Sequence, residues 1–161
     1  MDGLKRFMDQ FNKCGELCKS HGMKFGYHNH DFEFSTKVGD NTLFDYILKN
    51  TDPELVAQQL DTGNMAGVPG GDPLELLHKY PGRFELMHVK DEIKVAEKGE
   101  MGHGYESTII GQGIMPMKEI LKTARKTGGT SQFIIEQESY QGKDPVECVI
   151  IDLQTMKKWG Y

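Results

Sequence analysis

Short β-forming runs alternate with helical segments from one end of the 161-residue chain to the other, and this alternation leaves few folds open. Over 4–18 the apolar residues Leu4, Phe7, Met8, Phe11, Leu17 and Cys18 recur at helical spacing, and Gly22 supplies a stop just beyond His21. Residues 23–30, with Phe25 and Tyr27 as β formers, predict a first strand. A helix over 42–50 is broken by Asp52-Pro53, and 56–61 predicts a second strand. Asp72-Pro73-Leu74-Glu75 offers a cap, a proline at the first helical position and a glutamate three residues after the cap; Asp144-Pro145-Val146-Glu147 repeats the pattern. Between those helix starts lie a strand over 84–90, a Gly- and charge-rich loop over 91–113, a helix over 115–127 and a strand over 132–136. One helix followed by four βα units predicts an α/β domain spanning 1–161, with a parallel sheet and right-handed crossovers.

In parallel βα architectures the active site forms where each strand gives way to a loop at its C-terminal end. Here those ends read Tyr27-His28-Asn29-His30-Asp31-Phe32-Glu33, Gln59-Leu60-Asp61-Thr62-Gly63-Asn64, Met87-His88-Val89-Lys90-Asp91 and Ile135-Glu136-Gln137-Glu138. Alternate residues of a strand share a face, so His28 goes with His30, His88 with Lys90 and Glu136 with Glu138. Imidazoles and carboxylates converging from four neighbouring strands suit a divalent cation, Mn²⁺, Zn²⁺, Co²⁺ or Mg²⁺, with the mixed ligand set leaving its identity open. Each residue also has an ordinary reading: a strand-end Asp caps the next helix, and Lys90 pairs with Asp91 at the surface. Gly111-Gln112-Gly113 before a helix resembles a phosphate cradle, yet a lone GxG more often only shapes a turn, and 67–71 has the same ambiguity. His21, His78 and His103 are expected at a helix end, inside a helix and in a loop, without chemistry; Cys14 and Cys18 lie on the apolar stripe of the first helix and read as core.

Charge and cysteine content narrow the partners. Nineteen Lys+Arg against 24 Asp+Glu give −5, with no basic run, which argues against nucleic acid or an anionic membrane as partner. The longest apolar stretches, 133–135 and 149–151, fall far short of the roughly 20 residues that cross a bilayer. Three cysteines with no CxxC argue against a disulfide framework, and the first residues lack an export signal, so the expected compartment is the cytoplasm.

The strand ends, together with Gly70-Gly71-Asp72-Pro73, Tyr80-Pro81-Gly82-Arg83-Phe84 and Gly111-Gln112-Gly113-Ile114, resemble in order and spacing the sugar phosphate isomerase/epimerase family with its xylose-isomerase-like barrel. The resemblance implies a TIM-barrel (β/α)₈ fold holding one divalent metal through Glu, Asp, His and Glu from successive strand ends. On this chain it implies Asp61, His88 and Glu136 as metal ligands, with Glu136 also transferring protons. Where many relatives read Leu-Glu-Asn-His, this chain reads Tyr27-His28-Asn29-His30, so His28 takes the first ligand place and His30 that of a substrate-facing histidine. A symmetrical two-glutamate proton shuttle is thereby lost, and His28, His30 or Glu33 is left to serve as the other acid/base. Substrate contacts are expected from His30, Asn64 and Lys90.

What the resemblance implies is an isomerase or epimerase acting on a small ketose or keto-sugar through an enediolate, or, where a β-hydroxyl leaves, a dehydratase of the same fold. A metal phosphoesterase of the apurinic-endonuclease kind would want more ligands and a basic groove. A complete barrel needs about 250 residues; four βα units correspond to its C-terminal half. Either a longer chain completes it, or two half-barrels associate as a homodimer, or the half-barrel folds and dimerises without catalysis. Two unpaired strand edges and an open inner face favour pairing.

Overall fold

A computed structural model describes residues 2–96 and 104–161. Helix α1 (Asp2–Ser20) leads through Gly22 into β1 (Phe25–His28). A short α2 (Phe32–Ser35) and a two-stranded ribbon, β2 (Lys37–Val38) with β3 (Asn41–Thr42), precede α3 (Leu43–Asn50). Then come β4 (Val56–Asp61), α4 (Pro73–Lys79), β5 (Leu86–Val89) and a hairpin of β6 (Asp91–Lys94) and β7 (Tyr105–Thr108). Helix α5 (Met117–Thr123) widens into a π turn over Ala124–Gly128 before β8 (Gln132–Ile135) and α6 (Pro145–Lys158).

The principal sheet is parallel, in the order β1-β4-β5-β8. Consecutive βα strands lying side by side is the arrangement of half a TIM barrel. Period-two alternation splits each strand between two faces. Leu60, Met87 and Val89 turn to the helices and are completely buried in one core with Phe44, Ile47, Leu77, Ile120 and Leu121. His28, Gln59, Asp61 and His88 belong to the other face, which a closed barrel would enclose.

Local chemistry sets the helix starts. Asp72 and Asp144 each accept from the two amides that follow their proline, as their sequence pattern predicts. Thr42 and Asp45 form a reciprocal capping box at α3. Helix α1 sits close to the sheet through Gly15, where a β-carbon would lie 2.3 Å from the carbonyl oxygen of Leu55.

Several expectations are corrected. The region 91–113 is not a loop throughout, because β6 and β7 pair over four residues, Asp91 opposite Thr108 and Lys94 opposite Tyr105. Of the two readings of Gly111-Gln112-Gly113, the turn-shaping one fits: the amides of Gly111 and Gly113 donate to Asp91 Oδ2 at 2.8 and 3.0 Å. Cys14 is exposed and Cys18 half-buried, since the side of α1 that packs is the one carrying Met8 and Gly15; Cys148 is the buried cysteine. His21 and His78 are exposed, while His103 lies outside the described residues. Among the described residues β1 pairs with β4 alone and β8 with β5 alone, so the sheet has two open edges. Helix α6 carries Val146, Val149, Ile150 and Leu153 exposed, 67, 43, 48 and 44 % respectively, a stripe at helical spacing facing outward.

Candidate metal centre

Parallel strands in register bring their C-terminal ends to one level. Asp61 pairs directly with His88, and His28 is opposite Gln59, two residues before Asp61. Glu136 follows β8 with its amide on the carbonyl of Val89. As a result the ligand atoms of His28, Asp61 and His88 all lie within 4.8 Å of one another.

Asp61 is completely buried and held from several sides. Its backbone is clasped by the side chain of Asn29, whose Oδ1 accepts from Asp61 N at 2.8 Å and whose Nδ2 donates to Asp61 O at 3.2 Å. Asp61 Oδ1 accepts from the amide of Asn64 at 2.8 Å. The other oxygen, Oδ2, makes no hydrogen bond among the described residues and lies 3.4 Å from His88 Nδ1 and 3.8 Å from His28 Nε2. Glu136 Oε2 contacts His88 Nδ1, and Glu136 Oε1 lies 3.6 Å from Lys90 Nζ. The Asp61 carboxylate, outweighing burial and joined by Glu136, raises the His88 imidazole above its ordinary pKa.

These residues fit a divalent cation. A buried carboxylate oxygen with no hydrogen bond among the described residues faces the imidazole nitrogen that Glu136 contacts, with a second imidazole alongside. Lone pairs so arranged repel unless a proton or a cation stands among them. Two nitrogens and two carboxylates are a set that Zn²⁺, Mn²⁺ or Co²⁺ accepts.

Lys90 is not a surface residue paired with Asp91. Its side chain is 1 % exposed, and its ammonium contacts Glu138 and faces Glu136. Burial alone would lower its pKa, but Glu138, Asp61 and Glu136 keep it above the ordinary value. Glu138 in turn is placed by the hairpin, because Ser107 Oγ accepts from the amides of Glu138 and Ser139 at 2.8 and 2.9 Å.

His30 is exposed at the rim, its ring 5.0 Å from that of His28 and stacked on Phe32. Glu33 is not brought to the same point. It is completely buried, accepting from the Tyr27 hydroxyl at 2.5 Å and from the His30 amide at 2.9 Å, so its oxygens hold the turn that carries His30. Asn64 is also buried: its Nδ2 donates to Asn29 O at 2.9 Å and stands 3.4 Å from His28 Nε2. Three residues of this region were given no role from sequence: Asn29, Gln59 and Glu138. For Gln59 and Glu138 the available signal was alternation, since each shares a strand face with a candidate ligand two residues away.

Residues 2–159 match the family described as xylose isomerase-like TIM barrel. The chain belongs to that family. Among its relatives are an inosose dehydratase of Bacillus licheniformis, 29 % identical over 157 residues that cover 91 % of this chain and 51 % of that protein. An inosose dehydratase of Clostridium beijerinckii is 31 % identical over 153 residues, 89 % of this chain and 46 % of that protein. A solved sugar phosphate isomerase/epimerase from Parabacteroides distasonis superposes with a TM-score of 0.75 at 28 % identity, covering 97 % of this chain and 54 % of that one. A xylose isomerase domain protein from Planctomyces limnophilus shares the fold, with a TM-score of 0.63 at 19 % identity. The chain spans about half the length of the curated relatives it matches. No helix among the described residues is long and apolar enough to cross a membrane.

Proposed function

We propose that this chain is the metal-bearing half of an enzyme that removes a proton from the carbon next to the carbonyl of a small sugar or keto-polyol. The observation that carries the reading is Asp61 Oδ2: buried, without a hydrogen bond among the described residues, and facing His28 and His88 with Glu136 beside them. His28, Asp61, His88 and Glu136 would hold the ion, which when bound supplies Lewis-acid polarisation of a substrate carbonyl. Glu136, half-exposed at the mouth, is the group positioned to take the proton and return it. Lys90 keeps a positive charge against Glu136 and steadies negative charge as it develops on substrate oxygen. His30, exposed beside His28, reaches substrate hydroxyls and is the second proton carrier; Glu33 acts on it by holding its amide. Asn64 meets substrate only if its amide leaves Asn29, so its part is to keep His28 and Asp61 in place.

Returning the proton gives isomerisation or epimerisation, the reading that the resemblance to sugar isomerases favours. Loss of a neighbouring hydroxyl gives dehydration, a second reading favoured by the relatives named inosose dehydratase, which align over most of this chain. Both begin with the same proton. The test is to load the protein with Mn²⁺, Co²⁺, Zn²⁺ or Mg²⁺, remove free ion, count what is retained, and follow deuterium wash-in beside the carbonyl of a ketohexose and of an inosose by NMR. About one ion per chain with wash-in supports the reading. Fewer than about 0.1 ion per chain overturns it, because a four-ligand site retains its metal.

We further propose that the chain assembles as a homodimer in which two half-barrels complete one another. Support comes from the open edges of β1 and β8 and from the apolar stripe on α6. A second copy related by a two-fold along the barrel axis sets β8 of one chain parallel to β1 of the other at both seams, and such a contact closes on itself.

A further inference from the structure

Resting on the metal reading above, we infer that Gln59 is a positioning residue that fixes the tautomer of His28 and so leaves Nε2 as the ligand atom. The argument is a chain of donors and acceptors. Backbone carbonyls only accept, so the Asn64 side-chain atom 2.9 Å from Asn29 O is its NH₂ group. That same NH₂ group stands 3.4 Å from His28 Nε2, which in the metal-free protein presents to it the lone pair that an ion would take. In a neutral imidazole the proton is then on Nδ1. Nδ1 lies 3.0 Å from Gln59 Oε1, an acceptor that receives that proton.

The geometry is built in by the sheet. His28 and Gln59 are register partners across β1 and β4, on the face that also carries Asp61, so the contact is set by strand pairing and not by a mobile loop. The turned-over arrangement, with Gln59 donating to Nδ1 and the proton on Nε2, would aim an N–H at the NH₂ of Asn64, with Asp61 Oδ2, at 3.8 Å, beyond hydrogen-bond reach. An acceptor on the far nitrogen of a ligand histidine orients the ring and raises its basicity, and losing such a partner commonly costs about 10- to 100-fold in metal affinity.

The test compares the full chain with Gln59→Leu, which removes the acceptor, and Gln59→Glu, which keeps one. Long-range ¹H–¹⁵N NMR of the metal-free protein reads the His28 tautomer, and calorimetry reads Zn²⁺ affinity. The expected result is the Nδ1–H form in the natural sequence and in Gln59→Glu, and a shift towards Nε2–H in Gln59→Leu with Zn²⁺ binding about 10- to 100-fold weaker. The Nε2–H form in the natural sequence overturns the inference, as does a Gln59→Leu protein with unchanged tautomer and affinity. A natural-sequence protein that takes up no Zn²⁺ overturns the metal reading instead, and the NMR result on the same sample decides the role of Gln59 by itself. Should Gln59→Leu not fold, the tautomer of the natural sequence and of Gln59→Glu still decides.

Discussion

The backbone amide of Asn64 lies 2.8 Å from Asp61 Oδ1, so one oxygen of a fully buried carboxylate is occupied and the other is left to the histidines. Asp61→Asn keeps the acceptor that Asn64 needs and removes the charge. It should therefore fold and lose the ion, falling from about one bound ion per chain to below about 0.1, as measured by metal analysis after gel filtration with circular dichroism as the folding control.

Glu136→Gln should suppress turnover far more than Lys90→Ala. General acid/base groups are commonly worth about 10²- to 10⁴-fold, whereas Lys90, buried against Glu138, acts on the substrate only through its charge. The structure adds a contrast in stability: Lys90 is buried against Glu138, so Lys90→Ala should lower the thermal midpoint and Glu136→Gln, at a half-exposed position, should not. A Gln variant that keeps most of its turnover would assign proton transfer elsewhere, with His30 next.

Asp45 predicts an acid-dependent part of the folding energy. Burial would raise its pKa, but hydrogen bonds from Lys79, Tyr80 and Thr42 hold it down at about 2. A carboxylate depressed on folding contributes stability above its unfolded pKa, about 3.9, and loses it as pH falls through the folded value. The contribution at neutral pH is on the order of 2 kcal/mol. Urea unfolding of Asp45→Asn should show that loss at pH 7 and a flatter decline between about pH 4 and 2 than the natural sequence; parallel declines would refute it.

Gly15→Ala inverts the usual helix rule. In an exposed helix the change would gain about 1 kcal/mol. Here the added carbon meets backbone, 2.3 Å from Leu55 O, and α1 has to move off the sheet. A net loss of about 1–3 kcal/mol is expected from denaturant midpoints. A gain would mean that α1 adjusts without cost.

Assembly can be weighed directly. Light scattering at micromolar concentration should return twice 18.2 kDa, and Val149→Glu with Ile150→Glu on the exposed stripe of α6 should shift it towards 18.2 kDa. A natural-sequence chain that stays at 18.2 kDa with a cooperative thermal transition would sink the homodimer.

What the chain announces in its letters is whatever depends on near neighbours. The caps at Asp72 and Asp144 act on amides two and three residues away, and 56–61 forms the strand its composition predicts. The positions of Asp61, His88 and Glu136 were also readable, because every parallel strand delivers its C-terminal end to the same level. Tertiary structure decided the partners that lie far along the chain. The glycine turn at 111–113 could be read as an anion cradle or as a plain turn, and only the fold showed that Asp91, some twenty residues earlier, takes its amides. Lys90 could be read as a substrate contact or as a surface partner of Asp91, and the β6–β7 hairpin instead places Glu138 on its ammonium. Gln59 could be read as sharing a strand face with Asp61, but only strand register set it against His28. Residue type and spacing state which groups can donate and accept, but only the paired backbone determines which of them meet.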